Sequence, residues 1–368
     1  MSYYVLYFFL AVLCIINPYV KKTQQYSIVY LAAFAILLFQ ALRWKTGTDW
    51  IPYYEKFLNC NNPAWESSIT FEYGFRYLNS IIRRITDNYT LFLFVECGLN
   101  LMFSIIFIKK MNVTNPCLVL LYLFVIAIFP IRYTLAMSMI LCSYYYIIEK
   151  NFIPFSILVI GAFLIHRTTI IFFPLYFICQ YKFPFKFLFS IYIIATILGI
   201  LVEYTFGNLL QMASVMYGFA DETVQDKMEA YMSGDIAEAH QKSIFRLLLS
   251  FLNSTFFILF FYYFKKKRFF DDRKYEILFT LYVLGISFNR IFIQTIPDMA
   301  RLTSLFTGGY IVMLIMIISS MKKRIRPLAT ALVLLYMFLT YYSSFHGVYE
   351  DLFIPYYTVF ENPNRPMY

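Results

Sequence analysis

The stretch Arg43-Trp44-Lys45-Thr46-Gly47-Thr48-Asp49-Trp50-Ile51-Pro52-Tyr53-Tyr54 sets a cation, a carboxylate, four aromatic rings and a glycine turn directly after a long apolar run. It holds two of the three tryptophans, and the third, Trp65, follows in the same polar segment. Arg43 could hold a phosphate while Asp49 accepts a proton or hydrogen-bonds a sugar hydroxyl. The plainer alternative has Arg43 snorkelling to headgroups and Asp49 capping a short helix that starts at Trp50. Trp44, Trp50, Tyr53 and Tyr54 suit either stacking against sugar rings or an interfacial aromatic belt.

Further ionisable groups stand in or beside apolar runs, where they are costly and point to function: Glu72, Glu96, Arg132, His166, Arg167, Arg290, Asp298 and Arg301. Arg132 lies two residues after Pro130 at the start of a helix, as an anchor or as a ligand. His166 closes a short apolar helix in Phe163-Leu164-Ile165-His166-Arg167-Thr168-Thr169, a polar knot between two short helices. Arg301 is set within an otherwise apolar helix. Arg290 is either a second phosphate ligand or an interfacial anchor. The sequence has no HExxH, no clustered His and Cys, no P-loop, no GxGxxG and no nucleophile elbow. Neither a metal nor a cofactor is expected, and arginines that neutralise a diphosphate remain compatible with the inventory.

The elements that position these groups are membrane spans. In 368 residues, 61% are hydrophobic and 14% charged, with a mean hydropathy of +0.63, too little polar surface to cover a soluble globule. An all-α, polytopic membrane protein follows, with about twelve transmembrane or membrane-embedded helices near 2–18, 24–42, 90–108, 115–130, 133–148, 152–166, 169–180, 187–203, 243–264, 275–293, 299–319 and 327–344. The pairs 115–130/133–148 and 152–166/169–180 have short members and prolines, and parity favours hairpins. The first segment lacks a basic start and a small-residue cleavage site, and is expected to be a retained span.

Alternate loops differ in charge. One set carries seventeen Lys and Arg against four Asp and Glu, a net +13, and the remainder of the chain nets −3, which restores the formal +10. The positive-inside rule assigns the first set to the cytoplasm and both termini to the outside. The basic balance is thus a topology signal and gives no support to a nucleic-acid partner. A single integral membrane domain over 1–368 is expected, its outer face built by loops 43–89, 204–242 and 345–368. Within the first loop, Phe71 to Ile82 has the period of an amphipathic interfacial helix. The second holds Asp221, Glu222, Asp226, Glu229, Asp235 and Glu238, a solvated face or a lid. The tail carries Tyr349, Tyr356 and Tyr357. Five of the six cysteines lie in apolar segments, and Cys60 alone falls in an outer loop, so no disulfide framework is expected.

Taken in order, Arg43-x3-Gly47-Thr48-Asp49-x3-Tyr53, Arg132-x3-Ala136, Phe163-x2-His166 followed by Arg-Thr-Thr, and Ala300-Arg301 resemble the pattern of EpsG/Wzy-type oligosaccharide repeat-unit polymerases. The resemblance implies a multi-pass protein of the bacterial plasma membrane, similar in architecture to lipid-carrier-dependent, GT-C-like glycosyltransferases. It implies O-antigen, capsule or exopolysaccharide synthesis from units on undecaprenyl diphosphate, with lipid-linked donor and acceptor as partners alongside membrane lipid, a chain-length regulator and a flippase. Arg43, Asp49, Arg132, His166 and Arg301 would then be catalytic. Trp44, Trp50, Tyr53, Glu72, Tyr73, Arg167 and Arg290 would bind substrate. Asp49, His166 and Glu72 all remain open as the base. The competing expectations are a lipid-linked glycan ligase and, from another class, a flippase, which calls for inverted repeats and midplane charges that the sequence lacks.

Overall fold

The computed structural model describes residues 2–62, 71–129, 131–216, 244–266, 273–292, 302–346 and 350–361. Trp65, Pro130, His240, Asp298, Arg301, Tyr349 and the six acids between 221 and 238 lie outside the described residues.

The chain runs through α1 (Ser2–Ile16), α2 (Lys22–Ala41), α3 (Trp50–Asn59), α4 (Tyr73–Ile85), α5 (Tyr89–Met111), α6 (Pro116–Ile126), α7 (Ile131–Ile148) and α8 (Phe152–Ile165). A 3-10 turn, Arg167–Phe172, leads to α9 (Leu175–Ile178), α10 (Phe185–Met216), α11 (Ile244–Lys266), α12 (Arg273–Phe292), α13 (Thr303–Thr307), α14 (Tyr310–Ser320), α15 (Arg326–Phe345) and α16 (Glu350–Phe353). Among the described residues every regular element is helical, and the one β-type contact is an isolated antiparallel bridge between Arg43 and Thr358.

Local chemistry sets several boundaries. The Asn88 side chain accepts the Thr90 and Leu91 N–H groups to start α5, and Asn115 accepts the Leu118 N–H to start α6, where Pro116 loses no needed donor. Asn112 ends α5 in the left-handed region at φ 45°.

Among the described residues seven helices are long and apolar enough to cross a membrane: Ser2–Tyr19, Lys22–Ala41, Tyr89–Met111, Ile131–Ile148, Leu247–Lys266, Thr303–Ser320 and Arg326–Phe345. Four shorter apolar helices join them, Pro116–Ile126, Phe152–Ile165, Arg167–Ile178 and Phe185–Leu201. The chain is a polytopic membrane protein, all helical where described. The expected span 275–293 is found as α12, but Glu276, Asn289, Arg290 and several hydroxyls keep it out of the apolar set. Residues 204–216, expected as the start of a loop, are helical, since α10 continues to Met216.

The chain forms two compact units, Met1–Tyr176 with Ile311–Tyr368, and Phe177–Tyr310. In the first, α7 packs on α5 and α8, and α2 on α5 and α6. One end of this unit gathers the start of α1, the end of α2 and the tail: the Tyr3 hydroxyl donates to the Phe353 carbonyl, the Tyr356 hydroxyl to Phe39, and the Gln40 amide to Ile128. The opposite end gathers Asn17, Gln25 and Thr114, with Lys109 over the Tyr26 and Tyr30 rings.

In the second unit α12 packs on α10 and α13. Glycine permits both approaches: a side chain at Gly199 would run into the Arg290 carbonyl, and one at Gly285 would meet Phe306.

Candidate active site

Two groups of side chains at the Arg43 end of the first unit meet around Tyr53. The first is built on the segment after α2. Gly47 takes φ 96°, a conformation open to glycine, and its N–H donates to the Leu352 carbonyl while Phe129 covers the space a Cβ would fill. The tail returns beside it: the Trp44 N–H donates to Tyr357 and the Val359 N–H to Leu42. This clasp sinks Arg43 to 2% exposure, its guanidinium 4.5 Å from the centre of the Phe129 ring. The headgroup-snorkelling alternative for Arg43 is therefore ruled out. Its charge acts on Glu96, Tyr89 and Tyr356, and its Nε has no hydrogen-bond partner among the described residues.

Asp49 does occupy the N-cap position of α3, but its carboxylate accepts from none of the first-turn N–H groups. It takes the Thr48 hydroxyl at 3.2 Å instead. The rings sort by depth. Trp50 is 1% exposed, stacked on Tyr54 and edge-on to Trp44 and Tyr89, in a core with Phe57, Phe75 and Phe92. Burial of this kind makes it a packing ring that holds α3 against α4 and α5. Trp44 and Tyr53 are half-buried, and Tyr73 stands exposed at the start of α4.

The second group joins four segments. Arg132, in the first turn of α7, donates from Nη1 to Glu72 Oε2 at 2.6 Å, and the Arg167 N–H donates to Glu72 Oε1 at 2.9 Å. Glu72 thereby ties α4 to α7 and to the junction after α8. Close packing makes this reach possible, since a Cβ at Gly74 would sit 2.7 Å from the Leu164 carbonyl oxygen. The Arg132 guanidinium also lies 4.7 Å from the Phe71 ring centre, and Phe71 in turn stacks on Tyr53. Arg132 is thus paired with Glu72 rather than extended as a free anchor.

His166 ends α8, its Nδ1 2.7 Å from the Thr168 hydroxyl and its ring edge-on to Tyr133. Burial first, and then the Arg132 charge, push its imidazolium down to about 4, with Glu72 opposing. The ring is therefore neutral at physiological pH. Tyr53 is the hub. Burial pushes its phenol up to about 12, Arg132 opposes, and Asp49, Glu72 and Glu96 reinforce the rise. The structure thus brings Asp49, Tyr53, Glu72, Arg132, His166 and Arg167 into one electrostatic neighbourhood.

Of the other sequence candidates, Arg290 belongs to the second unit, where it is buried. It donates to the Ser250 carbonyl and, at 2.8 Å, to the Ser254 hydroxyl. Arg301 lies outside the described residues. Among the described residues no three His, Cys, Asp or Glu side chains group as a metal site. Sequence reasoning missed two contributors. Phe71 gave only an apolar beat, yet it faces both Arg132 and Tyr53. Thr358 sits in a pairing for which an all-α pattern offers no signal.

Spans capped at one end by a half-buried, ring-lined cluster of arginine, carboxylate and imidazole define a membrane protein with a polar site where its helices end. The EpsG family profile matches residues 26–358, from inside α2 to the bridge partner of Arg43, and the chain belongs to the EpsG family. Membership carries a role in polysaccharide biosynthesis, with chemistry of the glycosyltransferase-type polymerase kind. No curated protein and no solved structure matches the chain.

Proposed function

We propose that the protein is a polysaccharide polymerase that moves a growing O-antigen, capsule or exopolysaccharide chain from undecaprenyl diphosphate to the next lipid-linked repeat unit. The site works on the external face of the bacterial plasma membrane, and both termini lie on that side. The observation that carries this reading is the Glu72–Arg132–Arg167 contact beside a neutral His166.

In the reaction the anomeric C–O bond to the diphosphate breaks, and its electron pair leaves on the phosphate oxygen. The acceptor hydroxyl forms the new glycosidic bond and loses its proton. A diphosphate leaves as an anion and needs cationic stabilisation rather than a proton, which Arg132 supplies without a metal. Arg43, buried beneath the tail, sets a second positive field. His166 accepts the proton when its Nδ1–H is given to the Thr168 hydroxyl and Nε2 keeps its lone pair. Asp49, which carries no capping duty, is the alternative acceptor. Exposed Tyr73 and half-buried Trp44 and Tyr53 offer ring surface to sugars. Arg301 enters on sequence alone, and Arg290 gives its Nη2 donors to Ser250 and Ser254.

Arg132→Ala, expressed to wild-type level in a strain lacking the native gene, is expected to abolish long polymer while single lipid-linked units persist, a loss of about 100-fold or more. Full-length polymer from that variant overturns the assignment. A ligase would instead leave the glycan on an acceptor that is not a lipid-linked unit, so analysis of the reducing end separates the two.

A further inference from the structure

We infer that Glu72 is the resident occupant of the site's phosphate seat, displaced when a lipid diphosphate binds; the inference rests on the polymerase reading above. Each Glu72 oxygen takes one donor, Oε2 from Arg132 Nη1 at 2.6 Å and Oε1 from the Arg167 N–H at 2.9 Å. A guanidinium edge and a backbone N–H aimed at two oxygens of one anion are the recognition that a phosphate receives. The carboxylate does not exhaust the seat. Arg132 Nε is buried and has no hydrogen-bond partner among the described residues, so a tetrahedral anion with a third oxygen can use a donor that Glu72 leaves unspent.

Glu72 also has somewhere else to go. It stands at the N-cap of α4 with φ −64° and ψ 147°, the extended geometry from which an acid ordinarily accepts its own helix's first-turn N–H groups. Its side chain accepts none of them. Instead it turns away to the neighbouring elements and lies 11% exposed beside Arg132. Released from Arg132, the carboxylate finds the open N–H groups of Gly74 and Phe75 and the positive end of the α4 dipole. Both positions satisfy the carboxylate, which makes the segment a two-state element that an anion biases by its greater affinity for Arg132. In the empty state Glu72 neutralises the half-buried guanidinium. In the loaded state it caps α4, and the diphosphate holds Arg132.

The experiment uses the full chain in lipid nanodiscs with inorganic pyrophosphate as the probe, its binding measured by calorimetry. An internal competitor lowers apparent affinity by the fraction of time that it holds the seat, so Glu72→Ala and Glu72→Gln are each expected to bind pyrophosphate about tenfold more tightly than wild type. Millimolar acetate should refill the seat in Glu72→Ala and weaken its pyrophosphate binding towards the wild-type value, while leaving wild type unchanged. A residue that only braced Arg132 would give the reverse, with weaker binding in both variants and no acetate effect, and that result overturns the inference. Wild-type polymer from lipid-linked units together with no gain in the Glu72 variants sinks the seat and spares the polymerase reading. Tighter binding and acetate competition with no polymer from wild type does the opposite.

Discussion

At the level of single residues, His166 is set by the two forces that lower an imidazole pKa, burial and a neighbouring arginine. Arg132, Arg167 and Glu72 are the charged groups that act on it, and Glu72 alone favours the charged ring. With His166 as the base, the acid limb of polymerisation should fall near pH 4, and an inflection near 6.5 would remove it from that role. The same shift acts on stability. Between pH 6.5 and about 4 the unfolded chain takes up a proton that the folded ring refuses, so the contribution is full above 6.5 and lost as pH falls through that window. Thermal melts of wild type against His166→Gln should diverge in slope across that window, and parallel slopes would contradict the shifted value. Arg132 and His166 were legible in the sequence because an ionisable residue next to an apolar helix is expensive without a use. The depth of Arg43 was not, since an arginine after a span reads equally as a snorkelling anchor, and only the returning tail decides between them. Trp50 shows the converse, a ring whose type suits sugar stacking but whose helix turns it into the core.

Among the elements, α4 does the joining. Its amphipathic period shows in the sequence, yet the side it buries, Phe75, Asn79 and Ile82, leaves Tyr73, Tyr77, Ile81 and Ile85 open, and no pattern within the helix says which row meets α8. Gly74 makes that contact. Gly74→Ala places a methyl 2.7 Å from the Leu164 carbonyl oxygen, which is expected to push α4 away from α8, cost about 1–3 kcal/mol of stability and lower polymer yield by distorting the junction that carries His166. An unchanged melting temperature with full activity would show that the contact carries nothing. The pair expected at 152–166/169–180 takes the form of α8 followed by a 3-10 turn and the short α9, with Thr168, Thr169 and Pro174 interrupting the second arm. Its sequence gave the polar knot, while the Thr168 hydroxyl bond to His166 is a matter of backbone geometry that spacing does not encode.

Across the whole chain, the ends matter to the site. The segment 350–361 supplies the partners of Leu42, Trp44 and Gly47 and covers Arg43. A chain truncated after Phe345 is expected to insert in the membrane, since its spans are intact, but to lose polymer through an uncovered Arg43; normal polymer from it would make the clasp ornamental. The all-helical, polytopic character could be read from hydropathy, whereas the bridge over more than three hundred residues could not, because a lone β contact leaves no periodicity. The central claim is that one end of the first unit joins lipid-linked units through Arg132. It is tested most directly by supplying purified chain in nanodiscs with a single undecaprenyl-diphosphate repeat unit, free of nucleotide sugar, and following product length and released lipid diphosphate. Wild type should give a ladder of lengthening lipid-linked glycans, and Arg132→Ala single units alone. No glycosidic bond formation by wild type, or the same ladder from the variant, would contradict it.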